Sequence, residues 1–507
     1  MSYLQGTHEM DERRWTQKQG RATIPTVRYL TELLRWVWRR LWTWLRPLWF
    51  GRAGEAGPPA PPPEPPAPPP ADPSPARQWT LMIYMAGDNG LKFETEAGWT
   101  QILAEMTTAG YTDITELRQA GSTDQVQALV QFDTVSETDR SYRIVINRRG
   151  QAPTVHTIPE TNTGDPNTLR DFIIWGQQNF PARRYGVILW NHGGGWKADD
   201  IYASVRGPGR RARRPALFRT TYPALNAHIG QAVAAAQPRW IAADDASKDF
   251  LDNQELARAF REAREATGAA VHLIGMDACL MAMAEVAYEL RHDAEVLVAS
   301  EEVEPIAGWP YTQILAHLNE TPTQSPTELG TAIVRLYAES YRTSAASITQ
   351  SAIALPRLQG LAAALRAFVD AVEQAGRGPL IWRALDRARL YTPSFQDADY
   401  RDLYVFMARV QESVLGLAGR QKLSPAEEAA TQAAANVLAL LEDPARTPVV
   451  ANAAQGETFV DAQTGRPTVH GLAVYLPQRG TPVSPLYDRL AFAKTRWNEL
   501  LTWLEER

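Results

Sequence analysis

Val271-His272-Leu273-Ile274-Gly275-Met276-Asp277-Ala278-Cys279-Leu280 is an apolar, strand-like run that closes on an acid and on the one cysteine of the chain. Strands buried on both faces read as continuous apolar runs rather than as alternating ones, and this run fits that pattern. An Ala- and Met-rich helical run follows, so Cys279 is expected at a strand-to-helix junction. There the first helical N–H groups and the helix dipole favour a thiolate, the reactive form of cysteine. A second run, Tyr185-Gly186-Val187-Ile188-Leu189-Trp190-Asn191, ends in His192-Gly193-Gly194-Gly195-Trp196. A histidine and a cysteine, each released at the end of a buried strand, are a base and a nucleophile.

Outward from these runs, strands are expected at 79–85, 126–133, 142–147 and 295–300. Helices are expected at 94–107, 168–179 and 253–267, the second capped by Asn162-Thr163-Gly164-Asp165. Short strands alternating with helices predict an α/β fold with a mainly parallel sheet covered on both faces. Functional groups in such sheets sit beyond the carboxyl ends of the strands, where His192 and Cys279 fall. After Pro310 the pattern turns helical, over 325–343, 358–375, 401–418 and 426–441, with a last strand at 471–477 and a closing helix at 487–505. The organisation read from these elements is an N-terminal segment 1–50, a linker 51–77, an α/β domain 78–315 and a mostly helical region 316–507.

A chain of 507 residues, 44% hydrophobic and 21% charged, can bury one large α/β core with an appendage, or two cores. Its net charge of −5 gives no case for nucleic-acid binding. A single cysteine excludes an intramolecular disulfide and leaves the thiol without a resolving partner.

In residues 27–50 leucines recur at helical spacing, with Trp36, Trp38, Trp42, Trp44 and Trp49 crowded among Arg28, Arg35, Arg39, Arg40 and Arg46. The arginines interrupt the run of about 20 apolar residues that a spanning helix needs. Tryptophan and arginine on an amphipathic helix suit a membrane surface. Docking on the protein's own body or on a partner and an atypical export signal are the alternatives, so the expected location is cytoplasmic or peripheral to a membrane unless that signal operates. Residues 51–77 are Pro-rich and read as an extended tether. The insert 206–215, Arg-Gly-Pro-Gly-Arg-Arg-Ala-Arg-Arg-Pro, reads as a solvated loop or as a site of proteolytic nicking.

Asn191-His192-Gly193-Gly194-Gly195-Trp196 followed by Gly275-Met276-Asp277-Ala278-Cys279-Leu280-Met281 resembles the clostripain family of cysteine endopeptidases. Tyr84-Met85-Ala86-Gly87-Asp88-Asn89, Asn162-Thr163-Gly164-Asp165, Ser300-Glu301-Glu302-Val303-Glu304-Pro305 and Gly308-Trp309-Pro310-Tyr311 extend the resemblance over residues 78–315. It implies a caspase-like α/β/α sandwich, the fold group of caspases, gingipains and legumain, with helical C-terminal additions. It also implies hydrolysis of protein or peptide substrates by a Cys–His dyad. Cys279 attacks the carbonyl, His192 moves the proton, and the N–H groups of Gly193 and Cys279 hold the oxyanion. This chemistry needs no cofactor or metal, and calcium dependence does not follow from the residues.

In family members that cleave after Arg or Lys, an acid two residues before the cysteine holds the basic side chain. Asp277 matches it, with a helix N-cap as the alternative role. The second acid of the family stands just before Gly-Trp, a place taken here by Ala307, so Glu301, Glu302 or Glu304 is expected to substitute. Clostripain-like proteases are often cut between their two motifs, which makes the Arg-rich insert a candidate for self-processing. The rival reading is an inactive protease-fold scaffold tethered at a membrane. A phosphate cradle at Gly193, Gly194 and Gly195 lacks the lysine and Ser/Thr such a loop needs.

Overall fold

The computed structural model describes residues 77–88, 91–94, 100–103, 105–134, 140–196, 241–244, 249–376, 379–418 and 422–506. Strand Arg77–Gly87 lies at the centre of the sheet, and its residues from Leu81 to Ala86 have no exposed surface. It pairs in parallel with Val126–Thr134 on one side and with Ala182–Trp190 on the other. From Ala182–Trp190 the sheet continues in parallel to Leu273–Asp277 and then to Val296–Ala299. Antiparallel strands finish both edges. Arg140–Ile146 and Thr154–Pro159 lie beyond Val126–Thr134. Ile348–Ala354 and Val449–Gln455 lie beyond Val296–Ala299. Among the described residues these nine strands form one sheet, so segments on both sides of residue 315 build it.

Alternation along each strand divides the core between two helical layers. Gly176 of helix Pro166–Asn179 lies on Met82 and Leu129, and Tyr84 donates its hydroxyl to the Thr163 carbonyl at 3.0 Å. On the opposite face Phe132 fills the space beside Gly110, and the Trp190 indole donates to Asp113 Oδ2 at 2.6 Å. Asn253–Thr267 packs beside Pro166–Asn179 in the first layer, and Tyr311–Glu320 beside Glu105–Ala120 in the second. The helix starts follow local chemistry. Asp165 accepts from the Asn167 N–H, and Asp252 and Ser325 form capping boxes with Glu255 and Glu328.

The elements depart from the sequence pattern in a few places. Instead of a helix over 94–107, Leu91–Glu94 and Thr100–Leu103 form an antiparallel hairpin and the helix runs Glu105–Ala120. Thr100 and Ile102 are β-branched, which lowers helical preference there. The helix expected from 401 begins at Leu403, because Tyr400–Asp402 pairs with Ala473–Tyr475. The closing helix is Trp497–Glu505, preceded by two short 3-10 turns. Helices Tyr311–Glu320 and Pro379–Tyr391 and the two strands of the far sheet edge have no pattern strong enough to announce them.

The membrane-surface helix expected at 27–50, the linker as far as residue 76 and the Arg-rich insert 206–215 lie outside the described residues. No helix among the described residues is long and apolar enough to cross a membrane.

One of the buried acids that hold the C-terminal region is Glu285. Glu285 has no exposed surface, and its Oε1 accepts from the Tyr475 N–H at 2.9 Å and from the Tyr487 hydroxyl at 2.7 Å. Burial pushes this carboxyl up to about 7, against the pull of its donors. Replacing Tyr487 by Phe removes one donor from a buried acceptor and is expected to cost about 1–3 kcal/mol. Chemical denaturation of the Tyr487→Phe variant checks this, and an unchanged midpoint refutes it.

Candidate active site

Parallel neighbours deliver their next residues to the same sheet edge. The register sets Asp277 beside Trp190, and Trp190 beside Met85. Adjacent strands lie ~4.8 Å apart, so the segments that follow Trp190 and Asp277 leave the sheet side by side. His192 and Cys279 each stand two residues past that level.

Contacts beyond the strands keep the segments together. The Asn191 N–H donates to the Asp277 carbonyl at 3.4 Å, and its side-chain amide donates to the Ala86 carbonyl. A Cβ built on Gly193 would lie 1.9 Å from Cys279 O and 2.2 Å from Cys279 N. The main chain after His192 therefore rests directly on the main chain of Cys279, an approach open to glycine alone. Gly194 O accepts from the Tyr400 hydroxyl at 2.8 Å, which ties this loop to the C-terminal region.

The turn at Cys279 differs from the expected strand-to-helix junction. Helix Ala284–Glu289 begins five residues later, and Leu280 between them has φ 60, in the left-handed region. A helix dipole fades within its first turn, so it is not the main influence on the sulfur. Main-chain donors take its place. The Glu304 N–H donates to Cys279 Sγ at 3.2 Å. The Leu280 N–H donates to Glu302 O at 3.1 Å, and the Ala282 N–H to Ser300 O at 2.8 Å. A left-handed leucine costs roughly 1–2 kcal/mol, which the bonds from the 300–305 loop sustain. The thiol in turn faces the Glu304 carbonyl at 3.9 Å, so the N–H and the C=O of one residue both meet the sulfur. Cys279 has no exposed surface and His192 is 5% exposed.

The acidic residues separate into two groups. Asp277 is not a helix cap: its Oδ2 accepts from the Tyr311 hydroxyl at 2.9 Å and from the Trp309 N–H at 3.5 Å. Glu304 Oε1 accepts from Gln350 Nε2 at 3.2 Å and from the Trp309 indole at 3.5 Å. Two buried carboxyls thus flank Trp309, one at its main chain and one at its ring.

Glu301 turns toward the C-terminal region instead. Its Oε2 accepts from the Gly471 N–H at 2.9 Å, and the preceding amide, His470 N, donates to Asp402 Oδ2. The Glu302 carboxylate accepts from Val303 N at 2.8 Å and from Gln396 N at 3.1 Å, with burial pushing it up to about 7. Thr349 Oγ1 accepts from the Glu301 and Glu302 N–H groups, each at 3.0 Å. Tyr311 stands in a block that the sequence singles out, whereas Thr349, Gln350 and Tyr400 carry no local signal.

Asp88, Asp133 and Glu160 place three carboxylate oxygens within 4.8 Å of one another, a set able to hold a cation. Asp133 also accepts from Ser141 Oγ at 2.7 Å. Among the described residues this is the group with metal-ligating geometry, and it includes neither His192 nor Cys279.

The sequence model of the clostripain family, Peptidase_C11, matches residues 104–209 and 226–501. The chain belongs to the clostripain family. Clostripain of Hathewaya histolytica is 28% identical over 258 residues, 46% of this chain and 41% of that protein. The alignment thus spans less than half the length of this curated relative.

Solved structures share the fold. A secreted C11 cysteine protease from Bacteroides thetaiotaomicron, in complex with an irreversible peptide inhibitor, matches with a TM-score of 0.53 at 16% identity, over 83% of this chain and 99% of that one. An inactive zymogen C11 protease from Parabacteroides distasonis matches with a TM-score of 0.52 at 17% identity, over 83% and 98%. The sheet and its two helical layers in this clostripain-family chain are the α/β architecture of those proteases.

Gly193→Ala is expected to push the His192 loop off Cys279 and to destabilise the fold by about 1–3 kcal/mol, because neither main chain can yield without disturbing its strand. Thermal unfolding of the variant checks this, and a wild-type melting temperature contradicts the packing.

Proposed function

We propose that this chain is a cysteine endopeptidase in which Cys279 is the nucleophile and His192 the general base. The observation that carries the reading is the packing of Gly193 against the main chain of Cys279, which brings the two strand-end loops into one site. His192 accepts the thiol proton, and the thiolate adds to the scissile carbonyl carbon. The C–N bond then breaks as His192 returns the proton to the leaving amine, leaving a thioester on Cys279. A water deprotonated by His192 adds to the thioester, and loss of the thiolate releases the acid product. The N–H groups of Gly193 and Cys279 are the proposed oxyanion donors, since their main chains are neighbours.

The same reading extends to a basic P1 residue. Asp277 and Glu304 sit on either side of Trp309, and a guanidinium or ammonium entering between them meets carboxylates from two directions. Glu304 then does what the family's second acid does, in place of Ala307. Because Cys279 has no exposed surface, a substrate reaches it only after a covering segment moves. Self-cleavage in the Arg-rich insert 206–215, whose arginines match the P1 preference, is the proposed trigger.

Fluorogenic Arg and Lys peptides test the proposal, before and after limited nicking of the insert. Turnover is expected to fall by about 10⁴-fold or more in Cys279→Ala and in His192→Ala. Asp277→Asn is expected to lower kcat/KM by about 10- to 100-fold for Arg and Lys substrates, the worth of one charge-assisted contact, and far less for neutral P1 residues. Mass mapping of the termini is expected to place a cut within 206–215. Absence of turnover after nicking, across varied P1 residues, means that the fold serves as a scaffold.

A further inference from the structure

The loop that supports the cysteine turn is itself held from outside the α/β core. Its Glu302 carboxylate is clamped by Gln396 N, and its neighbour Glu301 reaches Gly471 and Asp402. Glu301 is 1% exposed and Asp402 is 2% exposed. Consecutive amides, His470 N and Gly471 N, hold the two buried carboxyls as neighbours, and two carboxyls so placed away from water do not both ionise. We propose that Glu301 and Asp402 form a buried proton-sharing pair that positions the 300–305 loop, and through it the Glu304 N–H on Cys279 Sγ and the Glu302 carbonyl on the left-handed Leu280. This assignment rests on reading Cys279 as the nucleophile. It makes Glu301 a positioning residue rather than a contact for substrate.

Main-chain donors surround Asp402. Asp402 Oδ1 accepts from Val405 N at 2.8 Å, and its Oδ2 accepts from the His470 N–H. The His470 ring, stacked on Tyr404, keeps Nδ1 3.7 Å from Asp402 Oδ1. Glu301 has its main-chain donor in Gly471 N. Glu302 adds a nearby negative charge, while the guanidinium of Arg401 interacts with Asp397 and Asp399. Burial, and then Asp402, hold the Glu301 carboxyl well above the usual range. A carboxyl raised in the folded state contributes stability that is full below its unfolded-state titration and is lost as pH rises from there through its folded one. Above that point the two carboxylates repel, and the loop loses its anchor.

The test uses the full chain and its single thiol. Thiolate absorbance at 240 nm, with Cys279→Ala as the blank, is followed against pH in wild type, Glu301→Gln and Glu301→Ala, with melting curves to establish that each is folded. Glutamine donates to Asp402 at every pH and still accepts from Gly471, so Glu301→Gln is expected to keep the wild-type thiol titration. It is also expected to shift the alkaline loss of kcat/KM upward by at least half a pH unit. Glu301→Ala is expected to raise the thiol titration by half a unit or more and to lower kcat. Identical thiol titrations in all three folded proteins, or Glu301→Gln behaving as Glu301→Ala, would overturn the pair. If Glu301→Ala does not fold, the alkaline limb of Glu301→Gln decides alone. A wild type with no turnover whose thiol still responds as expected overturns the peptidase reading and supports the pair.

Discussion

The site depends on one approach of main chain to main chain, Gly193 upon Cys279. A side chain at Gly193 is excluded there, so backbone packing, together with the Asn191 N–H on the Asp277 carbonyl, sets the positions of His192 and Cys279. The approach itself follows from the sheet. Because Ala182–Trp190 and Leu273–Asp277 run in parallel and in register, their exits fall level at one edge. An antiparallel pairing of the same two strands would have sent the histidine and the cysteine to opposite ends.

Around that contact Cys279 is supported by amides and not by a helix. The left-handed Leu280 turns the chain away from the sheet, and the 300–305 loop supplies the partners that make this turn tolerable. The loop is held in turn by Thr349 from a sheet strand and by Gln396, Asp402 and Gly471 from the C-terminal region. Tyr400 holds the histidine loop from the same side. The C-terminal region is therefore part of the site, connected to it through buried polar bonds. Such bonds are strong because the local dielectric is low, and costly to break for the same reason.

Much of the architecture was legible from pattern because burial leaves a mark on composition. The runs at 79–85 and 185–190 are almost wholly apolar, and 126–133 is buried along its length although Gln127, Gln131 and Asp133 interrupt it; these are the strands with helices on both faces. Helix Asn253–Thr267 announces itself by Asp252 and Glu255 at its start and Gly268 at its end. Edge strands such as Val449–Gln455 are half-buried and rich in alanine, so their pairing is decided by the neighbour rather than by their own residues. The strand Tyr400–Asp402, paired with Ala473–Tyr475, belongs to the same class, in which a partner distant in sequence overrides a local preference.

By itself the sequence determined that one cysteine and one Gly-flanked histidine stand at the ends of buried strands, since apolar continuity and glycine are local properties. It also marked Asp277 and the acidic block 301–304 as the carboxyls near that end. Only the tertiary structure decided how those acids divide. Asp277 and Glu304 turn to Trp309, whereas Glu301 turns to Asp402 and Gly471, which lie 101 and 170 residues further along the chain. The direction of a side chain depends on partners brought close by folding, and no pattern within ten or twenty residues encodes those partners.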